Sequence, residues 1–127
     1  MEQLPLDIPP PEPAFDNFLA GSNAEALERV RSLAHGTLPE PIVYLWGEPG
    51  CGRTHLLRAA LRVNARLVVA DDVETLEADA QQALFNAINA ARDGQGAVLA
   101  AGNAPPSGLA LRDDLRTRLA WGLVYRL

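Results

Sequence analysis

A single cysteine, Cys51, is all the chain offers, so no internal disulfide and no multi-cysteine zinc site can form, and a reducing compartment suits it. Aromatic residues are scarce too. At 6% of 127 residues they disfavour an aromatic-rich sandwich and favour helices packed on a sheet. Basic charge is in deficit: 11 Lys+Arg against 16 Asp+Glu leave a net charge of −5, which argues against a domain that wraps nucleic acid through general phosphate contacts. Long apolar runs are missing, and the amino terminus is acidic and proline-rich, unlike a secretory signal. The expected location is the cytoplasm, with no membrane partner. What is plentiful is ordinary apolar residues, 48% of the chain, enough at this length for one core and one domain.

Pro5, Pro9, Pro10, Pro11 and Pro13 fix φ and remove N–H donors through residues 1–14, which therefore read as an extended tail. Residues 15–127 form the domain, with Phe15 and Phe18 anchoring the tail to it. Ser22-Asn23-Ala24-Glu25 has capping-box spacing, and Ala26, Leu27, Val30, Leu33 and Ala34 keep a helical period up to Gly36. Ile42-Val43-Tyr44-Leu45-Trp46 is short, β-branched and aromatic, and predicts a core strand. Residues 54–62 predict a helix and 66–70 a second buried strand ending at Asp71-Asp72. Ala80, Ala83, Leu84, Ala87, Ile88 and Ala91 mark a further helix stopped by Gly94. Residues 97–101 predict a third strand, 111–120 a last helix and 123–127 a last strand. Strands alternating with helices imply an α/β fold with a parallel sheet covered on both faces.

Between the first strand and the helix after it lies Gly47-Glu48-Pro49-Gly50-Cys51-Gly52-Arg53-Thr54, the phosphate-loop pattern with Arg in place of Lys. Glycines there let successive backbone N–H groups surround an anion at the positive end of a helix. Those eight residues and His55, in the first turn of the helix, are the candidate nucleotide contacts. Thr54 offers a hydroxyl to Mg²⁺, and Asp71, at the carboxyl end of a strand, is placed to hold that ion through water. Asp71 and Asp72 also read as polar residues closing a strand. Arg53 keeps the charge but replaces a compact ammonium with a planar fork, and Asp72 is a short carboxylate for activating water. Little or no autonomous hydrolysis is expected. Asn103, after the third strand, is either a γ-phosphate contact or the residue opening the turn 104–108. Arg112, Arg116 and Arg118, interleaved with Asp113 and Asp114, read on their own as a solvated, ion-paired helix face.

Three segments together resemble one family: Phe15-Asp16-Asn17-Phe18, Tyr44-Leu45-Trp46-Gly47 running into an Arg-bearing phosphate loop, and residues 114–125, Asp-Leu-Arg-Thr-Arg-Leu-Ala-Trp-Gly-Leu-Val-Tyr. They are similar to the AAA+ module of the bacterial replication initiator DnaA, and more closely to its short Hda-like relatives, the regulatory inactivators of DnaA. The resemblance implies a P-loop AAA+ three-layer sandwich, and ADP or ATP with Mg²⁺ as cofactor. It implies two partners, the DNA polymerase sliding clamp and DnaA, whose bound ATP such proteins cause to be hydrolysed, with contact to DNA only through the clamp. Homo-oligomers through AAA+ interfaces also follow. Gln3, Leu4 and Leu6 match the clamp-binding peptide, a segment otherwise read as disordered tail. Arg118 matches the arginine finger that acts on a neighbour's nucleotide, and Asn103 the nucleotide-sensing position. Two departures are expected. Residues 55–70 are too few for the extra strand and helix of the family, which leaves a sheet of about four strands. The helical lid that follows the family's last strand is absent from this sequence. The alternative functions are a reduced relative acting only as a clamp- or nucleotide-binding adaptor and, further off, an autonomous ATPase.

Overall fold

A computed structural model describes Phe15 and residues 23–127. Four strands, β1 (Ile42–Trp46), β2 (Val68–Ala70), β3 (Val98–Gly102) and β4 (Leu123–Arg126), form one sheet in the order β2-β3-β1-β4. Every pairing in it is parallel. Among the described residues four α-helices connect and cover the strands: α1 (Ala24–His35), α2 (Arg53–Val63), α3 (Ala78–Arg92) and α4 (Asp113–Leu119). Short 3-10 turns occur at Val73–Thr75 and Pro106–Gly108.

Side chains along a strand alternate between faces, and β1 shows this directly. Val43 and Leu45 pack with Val30 and Leu33 of α1 and Leu56, Leu57 and Ala60 of α2. Ile42 and Tyr44 pack on the other face with Leu84 and Ile88 of α3 and Leu115 and Leu119 of α4. Both faces of β1 are therefore dry, which is why its sequence is a near-continuous apolar run instead of an alternating one. Each fully buried Leu or Ile in these two layers contributes ~1.5–3 kcal/mol. The result is the three-layer α/β sandwich expected from the sequence.

Three local expectations need adjustment. β2 was expected to be buried, but it is a three-residue edge strand whose Val68 is 41% exposed. Among the described residues it pairs only with β3, so its other edge has no strand partner there. Arg66 and Leu67 fall outside it because their N–H groups donate to Asn64 Oδ1 and Asn64 O, making a tight turn out of α2. The amino-terminal cap of α1 is Asn23, which makes no side-chain capping bond, while Ser22 of the expected capping box lies outside the described residues. The carboxyl end behaves as expected: Gly36 at φ 78° takes the left-handed turn and its N–H donates to Leu33 O.

Candidate functional site

All strands of a parallel sheet end on the same side, and the crevice beyond their carboxyl ends is where such folds bind ligands. β1 runs there into Gly47, whose N–H donates to Gly102 O at the end of β3. The loop then turns, with Cys51 N–H donating to Glu48 O at 3.1 Å. Gly52 caps α2 at φ 101°, a conformation that an L side chain resists, so the glycine is needed for the chain to enter the helix at this angle. The first N–H groups of α2 have no intrahelical acceptor and carry the positive end of its dipole. The expected strand, loop and helix are thus in place.

Arg53 does not reach out of this loop. It is 7% exposed; its Nη1 donates to Gly47 O at 2.8 Å and its Nη2 to Asp72 Oδ1 at 2.7 Å. Its Nε lies 3.7 Å from Asp71 Oδ1. Asp72, at φ 49°, holds the left-handed backbone that aims its carboxylate at the guanidinium. Thr54 Oγ1 donates to Asp71 Oδ2 at 2.5 Å, so the two hard oxygens expected to serve Mg²⁺ are adjacent. Their chemistry fits that ion, which takes few protein ligands beside phosphate oxygens. No cluster of three or more His, Cys, Asp or Glu side chains able to hold a metal occurs among the described residues.

Two cavities flank the loop. One, of about 500 Å³, is lined by Trp46, the loop residues Gly47–Cys51, Asn103, Arg126 and Leu127. The other, of about 400 Å³, is lined by Pro49, Gly50, Gly52, Arg53, Thr54, His55 and Asp72. Asn103 is therefore brought to the loop from β3, and its backbone N–H donates to Glu74 Oε1 at 3.0 Å. Beneath them Tyr44 donates to Ala104 O at 2.6 Å. Burial pushes the Tyr44 phenol far above its ordinary range, Glu74 adds to the shift, and Arg53 opposes it.

Arg118 lies elsewhere, lining neither of these cavities. Its Nε donates to Asn89 Oδ1 of α3 at 2.9 Å, and its guanidinium stacks 4.0 Å from the Trp121 ring and 4.8 Å from that of Phe85. Arg92 stacks on Trp121 too, at 3.9 Å. Arg112 and Arg116 are ion-paired to Asp114 and Asp113, the solvated face read from the sequence. Gln3, Leu4 and Leu6 lie outside the described residues. Sequence reasoning passed over Arg126, Glu74 and Tyr44. Arg126 had a readable signal: it occupies the carboxyl end of a strand, and in register it sits beside Trp46, immediately before the loop.

No helix among the described residues is long and apolar enough to cross a membrane. No protein-family model matches the chain. An uncharacterized protein of Haemophilus influenzae is 30% identical over an alignment 161 positions long, covering 99% of this chain and 68% of that protein. A Neisseria meningitidis protein of known solution structure is 31% identical and covers 89% of each chain, with a TM-score of 0.56. The replication initiator DnaA bound to AMPPCP and single-stranded DNA superposes with a TM-score of 0.81 at 21% identity, over 95% of this chain and 51% of that one. The chain spans about half the length of the DnaA structure it matches.

Proposed function

The chain belongs to the family of the Haemophilus influenzae and Neisseria meningitidis proteins and has the AAA+ fold of DnaA, and from that premise we propose that it is an Hda-like, nucleotide-holding regulator of replication initiation. The observation that carries this reading is the division of labour among its charged groups. Asp72, the group placed to activate water, is tied to Arg53 at 2.7 Å, which leaves it poorly suited as a general base. Arg118 is held on a separate face, where a second molecule can meet it. The chain on this reading does not turn over its own nucleotide; it supplies a cation to a nucleotide held by DnaA, where charge develops during phosphoryl transfer.

The bound nucleotide is ADP in preference to ATP, seated on the N–H groups of Gly50–Thr54 with Asn103 beside it. Residues 15–127 form the nucleotide-binding unit and residues 1–14 the tether, whose Gln3, Leu4 and Leu6 take the clamp's pockets. Thr54 would hold Mg²⁺ directly and Asp71 through water, and the ion would supply charge neutralisation at the phosphates.

The test is a pull-down and ATPase assay with sliding clamp on DNA and ATP-loaded DnaA. Arg118→Ala is expected to abolish stimulation of the DnaA ATPase, a loss of 10³-fold or more by the scale of other arginine fingers, with clamp retention unchanged. Full stimulation by that variant would refute the finger. A second reading, an adaptor that binds the clamp and holds no nucleotide, is favoured by the inward pairing of Arg53. Calorimetry with ADP separates the two, since measurable binding removes the adaptor.

A further inference from the structure

Two arginines stand at the phosphate loop in opposite surroundings. Arg53 is buried and has its acceptors within the protein: Gly47 O, Asp72 Oδ1 and, at longer range, Asp71. Arg126 is exposed at the end of β4, where the parallel register sets it beside Trp46. Its guanidinium lies 5.1 Å from the Trp46 ring centroid, and among the described residues it meets no carboxylate or carbonyl acceptor. It is the one cationic side chain lining the cavity that Gly47–Cys51 and Asn103 share.

A polyanion arriving at the loop meets an acidic neighbourhood, with Glu48 in that cavity and Asp71, Asp72 and Glu74 close to the loop and Asn103. It needs a cation that is not already engaged. Freeing Arg53 would leave the buried Gly47 carbonyl without its donor and break up the partners of a buried guanidinium, both costly, whereas Asp72, with its side chain 55% exposed, would lose its counter-ion to water at little cost. Freeing Arg126 gives up only a stacking contact. A guanidinium lying over a ring is weakly hydrated and keeps its in-plane N–H fork available, the geometry that takes two phosphate oxygens at once.

We propose that Arg126 is the cation that meets the diphosphate of the bound nucleotide, and that Arg53 is a brace that fixes the loop to the carboxyl end of β2. The assignment rests on the nucleotide reading above. It gives the last strand a direct part in ligand binding and explains how a loop whose own cation is turned inward can still hold a strongly charged anion.

The experiment is calorimetry on the full chain with ADP and with inorganic pyrophosphate, comparing the parent, Arg126→Ala and Arg126→Lys. Arg126→Ala is expected to weaken both ligands tenfold or more and to flatten the salt dependence of binding, with its melting temperature unchanged. Arg126→Lys retains the charge and recovers part of the loss. In a W121F background, where Trp46 is the one remaining tryptophan, ADP is expected to change the emission as Arg126 leaves the ring, and Arg126→Ala removes that change. ADP binding at parental strength by Arg126→Ala overturns the assignment and leaves the nucleotide reading standing. Pyrophosphate bound as tightly as ADP through Arg126 keeps the assignment and removes the nucleotide. Binding of neither ligand by the parent removes both.

Discussion

The guanidinium of Arg53 has acceptors on two sides, a backbone carbonyl of the loop and the carboxylates that close β2, and its planar fork addresses both at once. A lysine ammonium is a point charge and would serve one of them less well while leaving the other unmet. All 11 cationic side chains of the chain are arginines, so the loop follows a chain-wide usage, yet the consequence at this position is specific. From the sequence, Arg53 read as a charge presented to phosphate. Nothing in a linear pattern shows which way a fork turns, because the acceptor that decides it, Asp72, comes from the turn after β2 and depends on a left-handed backbone at that residue. Tyr44 was equally hidden. As a strand residue it read as core, and only the fold brings its hydroxyl to Ala104 O. Its neutral form is favoured in the folded chain because burial raises its pKa. The stabilisation is therefore complete below the unfolded tyrosine value near 10 and is lost as pH rises beyond it. Urea midpoints measured from pH 8 to 11 should be level and then fall from about pH 10 upward. Tyr44→Phe should cost about 0.5–1.5 kcal/mol at neutral pH for the lost hydrogen bond and flatten the alkaline fall. Tyr125, raised more modestly by burial and by its bond to Glu25, leaves a shallow residue of the same trend. An alkaline fall of full size in Tyr44→Phe would contradict this account.

Elements were more legible than side-chain directions, and the reason is periodicity. α3 announces itself through a 3.6-residue rhythm in which Leu84, Ile88 and Ala91 are buried, and β1 through its unbroken apolar run. The sequence predicts a buried β2 because two valines in a row look the same in an edge strand and in a central one; the difference lies in what pairs beside them. The junction of α4 and β4 depends on contact more than on pattern. A Cβ placed on Gly122 would fall 2.0 Å from Ile42 O, inside any permissible separation, so the chain can pass from α4 into β4 against β1 only without a side chain. Gly122→Ala is expected to destabilise by more than about 3 kcal/mol through displacement of β4 from β1, a large value with a named cause. Thermal melts followed by circular dichroism would report it. Gly36→Ala is the control, since a Cβ there has open space and only the φ of 78° to resist it, a loss of about 1–2 kcal/mol. A loss at Gly122 no greater than at Gly36 would mean that β4 can shift without cost.

For the molecule as a whole, the sheet gathers the loop, Asn103, Arg126 and the Thr54–Asp71 pair at its carboxyl end, while Arg118 is built on α3 and α4 and lines neither loop cavity. On the proposed function, holding one nucleotide and acting on another needs two sites that fail independently. Arg118 is not left to find its own rotamer: Asn89 accepts from its Nε, and its guanidinium lies against the rings of both Trp121 and Phe85. Such fixing spares ordering entropy when a second molecule arrives, the advantage of a preorganised cation over a mobile one. Asn89 comes from α3, distant in sequence, so its part was invisible until the two helices met. Asn89→Ala leaves the cation in place but removes its tether, and if the proposed function holds, stimulation of the DnaA ATPase should fall about tenfold, less than for Arg118→Ala. Clamp retention and ADP affinity should remain at parental values, because no residue of the loop cavities is touched. Saturating DnaA should not restore the rate if the defect is one of position instead of encounter. An Asn89→Ala protein that stimulates fully would mean that the aromatic pair alone aims Arg118; one that also loses ADP would mean that the two sites are not separate.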